Sequence, residues 1–182
     1  EQVAEAARKI SVGDAMDPDA FMGPVISARA KQRIEACIES GIKSGARLVL
    51  DGRNPDMPAA NKEGYFIGPT IFADVTPCME IVQKEIFGPV LSIIPFDTEE
   101  QALQIANDTP YGLTNYVQSQ DGAKRNKFAR KLRSGMVEMN GKSRSAGAPF
   151  GGIKDSGNGY KEGVLEAMKS FTNVKTFSLP WA

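Results

Sequence analysis

The chain has 182 residues with 22 basic and 22 acidic side chains, so no net field draws it toward nucleic acid or an anionic membrane surface. At 41% hydrophobic and 24% charged it has ordinary globular composition, and it is long enough for one sizeable core with room for an appendage. It contains no histidine, which removes the commonest general base and metal ligand together with every Ser-His or Cys-His pairing.

Glu1 to Ile10 reads as the end of a helix. The opening residues carry neither a signal nor a transit pattern, and the expectation is a piece of a longer protein. Val12 to Pro24 is rich in Gly, Pro and Asp and reads as an ordered loop. Ser27 can cap a helix whose apolar positions Ile34, Cys37, Ile38 and Ile42 share one face, and Gly45 ends it. Cys37 is thereby placed in core packing. Arg47 to Leu50 is a short strand, Asp51 to Gly64 a surface loop, and Tyr65 to Val75 an extended stretch broken by Gly68-Pro69. Met79 to Ile86 fits a short helix.

Val90 to Phe96 is a continuous apolar strand, the pattern of a strand covered on both faces, and far too short to span a bilayer. Thr98 opens a capping box with Gln101, and the helix that follows stops before Pro110. Thr114 to Gln118 is a strand, Gly122 to Leu132 a basic helix with a solvated charged face, and Met136 to Asn140 another strand. Val164 to Lys169 reads as a helix and Phe171 to Leu179 as a final strand that needs a partner edge. This order predicts an α/β layer structure with parallel neighbouring strands. The cysteines Cys37 and Cys78 form no C-x-x-C pair, so neither a zinc site nor a redox motif is expected, and reduced thiols suit a cytoplasmic protein.

Two loops carry the chemistry. In Glu85-Ile86-Phe87-Gly88-Pro89-Val90 a carboxylate and an aromatic ring stand two residues apart, a spacing that presents both to one face of an extended segment. A carboxylate can take two sugar hydroxyls and a ring can lie against a flat heterocycle, which suits a nicotinamide riboside. A charged turn residue and a core Phe before a strand fit the same residues. The second loop, Ala148 to Gly159, holds five glycines or serines in twelve residues. It is not a phosphate cradle: Lys154 follows Ile153 rather than glycine, and the third glycine of a dinucleotide fingerprint would fall on Glu162. Its glycines instead permit tight turns and close backbone approach. Phe150, held between Pro149 and two glycines, either lines a pocket or packs under the loop.

Six collinear runs together resemble the aldehyde dehydrogenase superfamily: Val12 to Ser27, Gly64 to Val75, Glu85 to Val90, Ala106 to Val117, Gly135 to Gly141 and Ala148 to Gly159. The likeness is to the hydrolytic, nicotinamide-dependent members. It implies a three-layer α/β fold with a mostly parallel sheet flanked by helices. It assigns 1–163 to the C-terminal portion of the catalytic domain, and 164–182 to a helix and strand that pair with a neighbouring subunit in a dimer or tetramer. It places Glu85 on the nicotinamide ribose hydroxyls of NAD or NADP, Phe87 on the nicotinamide ring, and Phe150 on the wall of the aldehyde tunnel, with Gly141 to Gly147 at the tunnel mouth. The implied reaction oxidises an aldehyde to a carboxylate through a Cys thioester.

The sequence departs from the family pattern in places. The Gly-Gln-x-Cys context of the family's nucleophile is not found in these residues. Neither Cys37 nor Cys78 has matching surroundings, so no catalytic residue is assigned, and the chain by itself is expected to be inactive. Tyr160-Lys161-Glu162 stands where the family commonly shows Arg-Glu. The alternative reading is a stand-alone module for assembly or small-molecule binding, without catalysis.

Overall fold

A computed structural model describes residues 1–142 and 145–180. The chain divides into two compact units, Glu1–Phe96 and Asp97–Ala182.

In the first unit, α1 (Gln2–Arg8) leads through the Asp-rich loop to α2 (Ala28–Lys43). Ser27 caps α2 as expected: its hydroxyl accepts the Ala30 N–H at 3.1 Å. Gly45, at φ +88°, turns the chain out of the helix in the left-handed region that glycine tolerates. Helix α2 buries Ile34, Ile38 and Gly41, and Cys37 packs half-buried against the same core. A methyl group on Gly41 would meet Ile81 and Phe72 at 3.1 Å, so the glycine lets α2 run close over the sheet.

That sheet has the order β1 (Arg47–Leu50), β2 (Thr70–Ala73), β3 (Val90–Ser92). Strand β1 pairs antiparallel with β2, and β2 pairs parallel with β3, with Ile71 opposite Leu91. Central β2 is almost fully buried, and Phe72 with Ile34, Ile38, Ile67 and Val75 forms the core. Between β2 and β3 lies the short α3 (Glu80–Gln83).

The expected double coverage of Val90 to Phe96 is not found among the described residues. The strand proper ends at Ser92, and Leu91, Ile93 and Phe96 are 47%, 39% and 57% exposed. Val90 and Ile94 alone of this run pack against the core. An unbroken apolar run shows that both faces are apolar, but not which of them this chain covers.

In the second unit, α4 (Glu99–Asn107) is capped by Thr98, whose hydroxyl accepts the Gln101 N–H at 3.1 Å. The Gln101 side chain reaches back one residue further than a capping box requires, to the Asp97 N–H at 2.7 Å. Strands β4 (Thr114–Val117) and β5 (Met136–Met139) pair in parallel, joined by α5 (Gly122–Lys131). The basic face of α5 is tied to the acidic start of α4: Lys124 and Lys127 lie 2.9 and 2.8 Å from Glu99, and Lys127 also lies 2.8 Å from Glu100.

The chain closes with α6 (Val164–Phe171). The expected strand from Phe171 to Leu179 does not form in the single chain: Phe171 ends the helix, and 172–180 has no regular pairing. Its backbone is extended at Thr172, and Val174, Phe177 and Leu179 are exposed. The alternation read from sequence marks a strand only where an edge is available to receive it. The chain is thus α/β, and among the described residues two of the three strand-to-strand pairings are parallel and one antiparallel.

Candidate cofactor and substrate site

Helix α3 ends at Gln83 and the chain runs extended into Lys84. Glu85 is exposed, Ile86 is buried at 8% exposure, and Phe87 is 74% exposed. The carboxylate and the ring therefore leave the protein on either side of an inward anchor. Both line one open cavity of about 610 Å3, together with Ile81, Val82, Lys84 and Val90. This is the juxtaposition the two-residue spacing predicts, reached by a different backbone route. Phe87 is not extended but sits at φ +54°, a left-handed conformation that costs a non-glycine residue about 1 kcal/mol or more.

Three contacts hold this strained turn in place. The Arg33 guanidinium on α2 donates to the Ile86 carbonyl at 2.7 Å, a charge-assisted bond to the peptide that separates the two site residues. Gly88 lies directly on Ile34, where a methyl group would come within 2.7 Å of the isoleucine Cδ1. The Pro89 carbonyl accepts the Thr70 N–H at 2.8 Å and starts the β2–β3 pairing.

The cation nearest in sequence to Glu85 is already engaged. Lys84 pairs with Glu80 at 2.5 Å, an interaction that raises the lysine pKa and lowers that of Glu80, which also accepts the Ser40 hydroxyl. Among the described residues no hydrogen bond or ion pair occupies the Glu85 carboxylate. An open, unpaired carboxylate beside an exposed ring fits a group that offers vicinal hydroxyls and a flat heterocycle.

Phe150 belongs to the second unit and is half-buried. It makes an antiparallel bridge with Glu162, its N–H donating at 2.8 Å and its carbonyl accepting at 2.6 Å. It lines a cavity of about 910 Å3 with Leu113, Tyr160 and Phe171. The glycines that follow serve backbone approach, as expected. A methyl group on Gly152 would lie 2.3 Å from the Ser156 carbonyl oxygen, and one on Gly157 2.1 Å from that of Gly152. The expected tunnel-mouth stretch is only partly visible, because Ser143 and Arg144 lie outside the described residues.

Cys37 is half-buried in core packing, and exposed Cys78 has its sulfur 3.3 Å from the Thr76 hydroxyl. Among the described residues no group of three His, Cys, Asp or Glu side chains is arranged to hold a metal ion, and no helix is long and apolar enough to cross a membrane.

Residues 1–177 match the family model described as the aldehyde dehydrogenase family. The chain belongs to that family. It is 43% identical over 168 residues to a 3-succinoylsemialdehyde-pyridine dehydrogenase of a Pseudomonas species, covering 92% of this chain and 35% of that protein. Its backbone superposes on the crystal structure of a Mycobacterium tuberculosis aldehyde dehydrogenase complexed with NAD+ with a TM-score of 0.91 at 44% identity, covering 98% of this chain and 36% of that one. A Pseudomonas syringae aldehyde dehydrogenase C mutant, crystallised with NAD+ and octanal, matches with a TM-score of 0.85 at 39% identity over 92% of this chain and 34% of that one. The chain thus spans about a third of the length of the relatives it matches.

Arg33 is the residue at the Glu85–Phe87 turn that the sequence does not reveal. On the helix it is one polar residue among several, and its partner carbonyl lies 53 residues away. Backbone carbonyls leave no mark in a sequence, so no local signal could have found it. Gly88 carried a signal, but its tight seat on Ile34 becomes visible only in three dimensions.

Proposed function

We propose that this chain works as part of a longer NAD(P)-dependent aldehyde dehydrogenase, in which Glu85 and Phe87 hold the nicotinamide riboside and Phe150 forms part of the aldehyde wall. The observation that carries the reading is the shared cavity of Glu85 and Phe87, two exposed groups of complementary chemistry held by a strained and pinned turn. The Glu85 carboxylate accepts hydrogen bonds from ribose hydroxyls, and the Phe87 ring restricts the nicotinamide to one plane. Bound there, NAD(P)+ supplies the hydride acceptor. The relatives crystallised with NAD+ support NAD as one such cofactor.

The net reaction converts an aldehyde, water and NAD(P)+ to a carboxylate, NAD(P)H and two protons. The attacking thiolate belongs to a cysteine outside these 182 residues. It forms a thioester as hydride leaves the carbonyl carbon, and an activated water then hydrolyses that ester. The isolated chain therefore does not turn over aldehyde. In the complete enzyme, the sheet is completed into a three-layer arrangement, and the extended 171–179 segment pairs with a neighbouring subunit in a cytoplasmic dimer or tetramer. The exposed Val174, Phe177 and Leu179 support that pairing.

The test is Glu85→Gln in the full-length enzyme, followed by rapid-quench and stopped-flow measurement. The hydride step is expected to slow more than aldehyde capture. Unchanged single-turnover hydride transfer overturns the assignment of Glu85.

A further inference from the structure

Lys154 stands in the glycine-rich loop, does not fit a phosphate cradle, and has no role in the site described so far. Its backbone is held at φ +53°, a conformation unfavourable for any residue with a side chain. Its ammonium is half-buried and donates to two backbone carbonyls, Asn107 at 3.1 Å and Thr109 at 2.9 Å. Asn107 is the last residue of α4, where the final carbonyls lack partners within the helix and favour a positive charge. The last turn of α4 carries no basic residue of its own, so Lys154 supplies that charge from 47 residues away.

Neighbouring bonds close the same seam. The Ile153 N–H donates to the Gly112 carbonyl at 2.9 Å, the Asp155 N–H to the Pro110 carbonyl at 3.0 Å, and the Gly112 N–H to the Ser156 hydroxyl at 3.1 Å. The loop is thus fastened to the turn that ends α4 along 153–156. Only Gly151 and Gly152 separate this seam from Phe150, which is also anchored by its bridge to Glu162, while the Lys161 ammonium donates to the Gly151 carbonyl.

We propose that Lys154 is a positioning residue for the aldehyde wall: by clasping the end of α4 it fixes where the loop presents Phe150. The proposal rests on the reading that Phe150 lines the aldehyde site. A lysine serves here because its single mobile charge reaches two carbonyls that diverge at a helix end, and a neutral side chain cannot offset that negative pole.

The test uses the full-length enzyme with Lys154→Met, Lys154→Gln and Phe150→Ala, measuring KM for a medium-chain aldehyde and for the nicotinamide cofactor separately. Lys154→Met is expected to raise the aldehyde KM about tenfold, the scale of a lost charge-assisted bond, while the cofactor KM stays unchanged. Lys154→Gln, which keeps a donor without the charge, is expected to fall between Lys154→Met and wild type. Should Lys154→Met not yield folded protein, the same KM comparison is read on Lys154→Gln. An unchanged aldehyde KM, or a parallel rise in both KM values, overturns the proposal, because the latter is what general loosening of the fold produces. If Phe150→Ala raises the aldehyde KM and the Lys154 variants do not, the proposal alone fails. If Phe150→Ala leaves it unchanged, the reading of Phe150 fails and takes the proposal with it.

Discussion

Replacing Gly88 by alanine probes the seat of the Glu85–Phe87 turn. The added methyl would stand 2.7, 2.8 and 3.0 Å from Cδ1, Cγ1 and Cγ2 of Ile34. Ile34 is fully buried and cannot swing into solvent to make room. Inserting one methyl group into a packed core costs about 1–3 kcal/mol, and the same push displaces the turn that carries both site residues. Ile34→Ala removes all three opposing atoms and alone costs about 2–5 kcal/mol through lost burial and the cavity it leaves. In that background the new methyl enters vacated space, so Gly88→Ala is expected to cost about zero, a coupling of about 1–3 kcal/mol between the two positions. Urea unfolding of the wild type, both single variants and the double variant of the full-length protein measures this directly. If Gly88→Ala costs the same, within about 0.5 kcal/mol, in both backgrounds, the glycine is not there for Ile34 and the packing argument is wrong.

Two other expectations concern charge and thiols. Hydrogen bonds from Lys127 and Lys124 lower the Glu99 pKa to about 2, and its ordinary value is 4.5. A depressed folded-state pKa stabilises the protein above the unfolded value, and that contribution is lost as pH falls from about 4.5 toward about 2. Glu99→Gln should therefore flatten the acid limb of a stability–pH curve and, because the same bonds raise the pKa of Lys124 and Lys127, soften the loss at the alkaline end as well. An identical acid limb would show that the cluster is too well solvated to matter. For the cysteines, Cys78→Ser is expected to leave turnover in the full-length enzyme unchanged, and Cys37→Ala to lower stability without lowering the rate per folded molecule. A loss of thioester formation in either variant, read by acid-quench of a single turnover, would restore that cysteine as a candidate nucleophile.

What could be read in the sequence was whatever depends on neighbours along the chain. Ser27 and Thr98 cap their helices because a hydroxyl reaching an N–H three residues on is a local event. The α2 face was legible because Ile34 and Ile38 recur with the helical period and Cys37 falls beside them. The strand endings were not. In Val90 to Phe96 the regular strand ends at Ser92, with Ile93 still bonded to Phe72 and Val75, and among the described residues 172–180 pairs with no strand edge.

The two site loops differ in the same way. Glu85 and Phe87 could be chosen from sequence because the contacts proposed for them are made by side chains, and the structure brings those side chains to one cavity. What holds them does not show in the motif: Arg33 binds a backbone carbonyl and Ile34 offers a surface, just as in the second loop Lys154 binds the carbonyls at a helix end. Each of these acts on main chain or shape, which every residue possesses, so the partner leaves no identity to recognise. The strain at Phe87 follows from this division. A residue with a side chain stays at φ +54° only if contacts elsewhere over-determine the turn, and the Arg33 bond, the Gly88 seat and the Pro89 pairing are the contacts that do so. Loosening any one of them should let Phe87 leave φ +54° and shift its ring from its present place in the cavity it shares with Glu85, so the motif's six residues specify this arrangement only while α2 and β2 hold it.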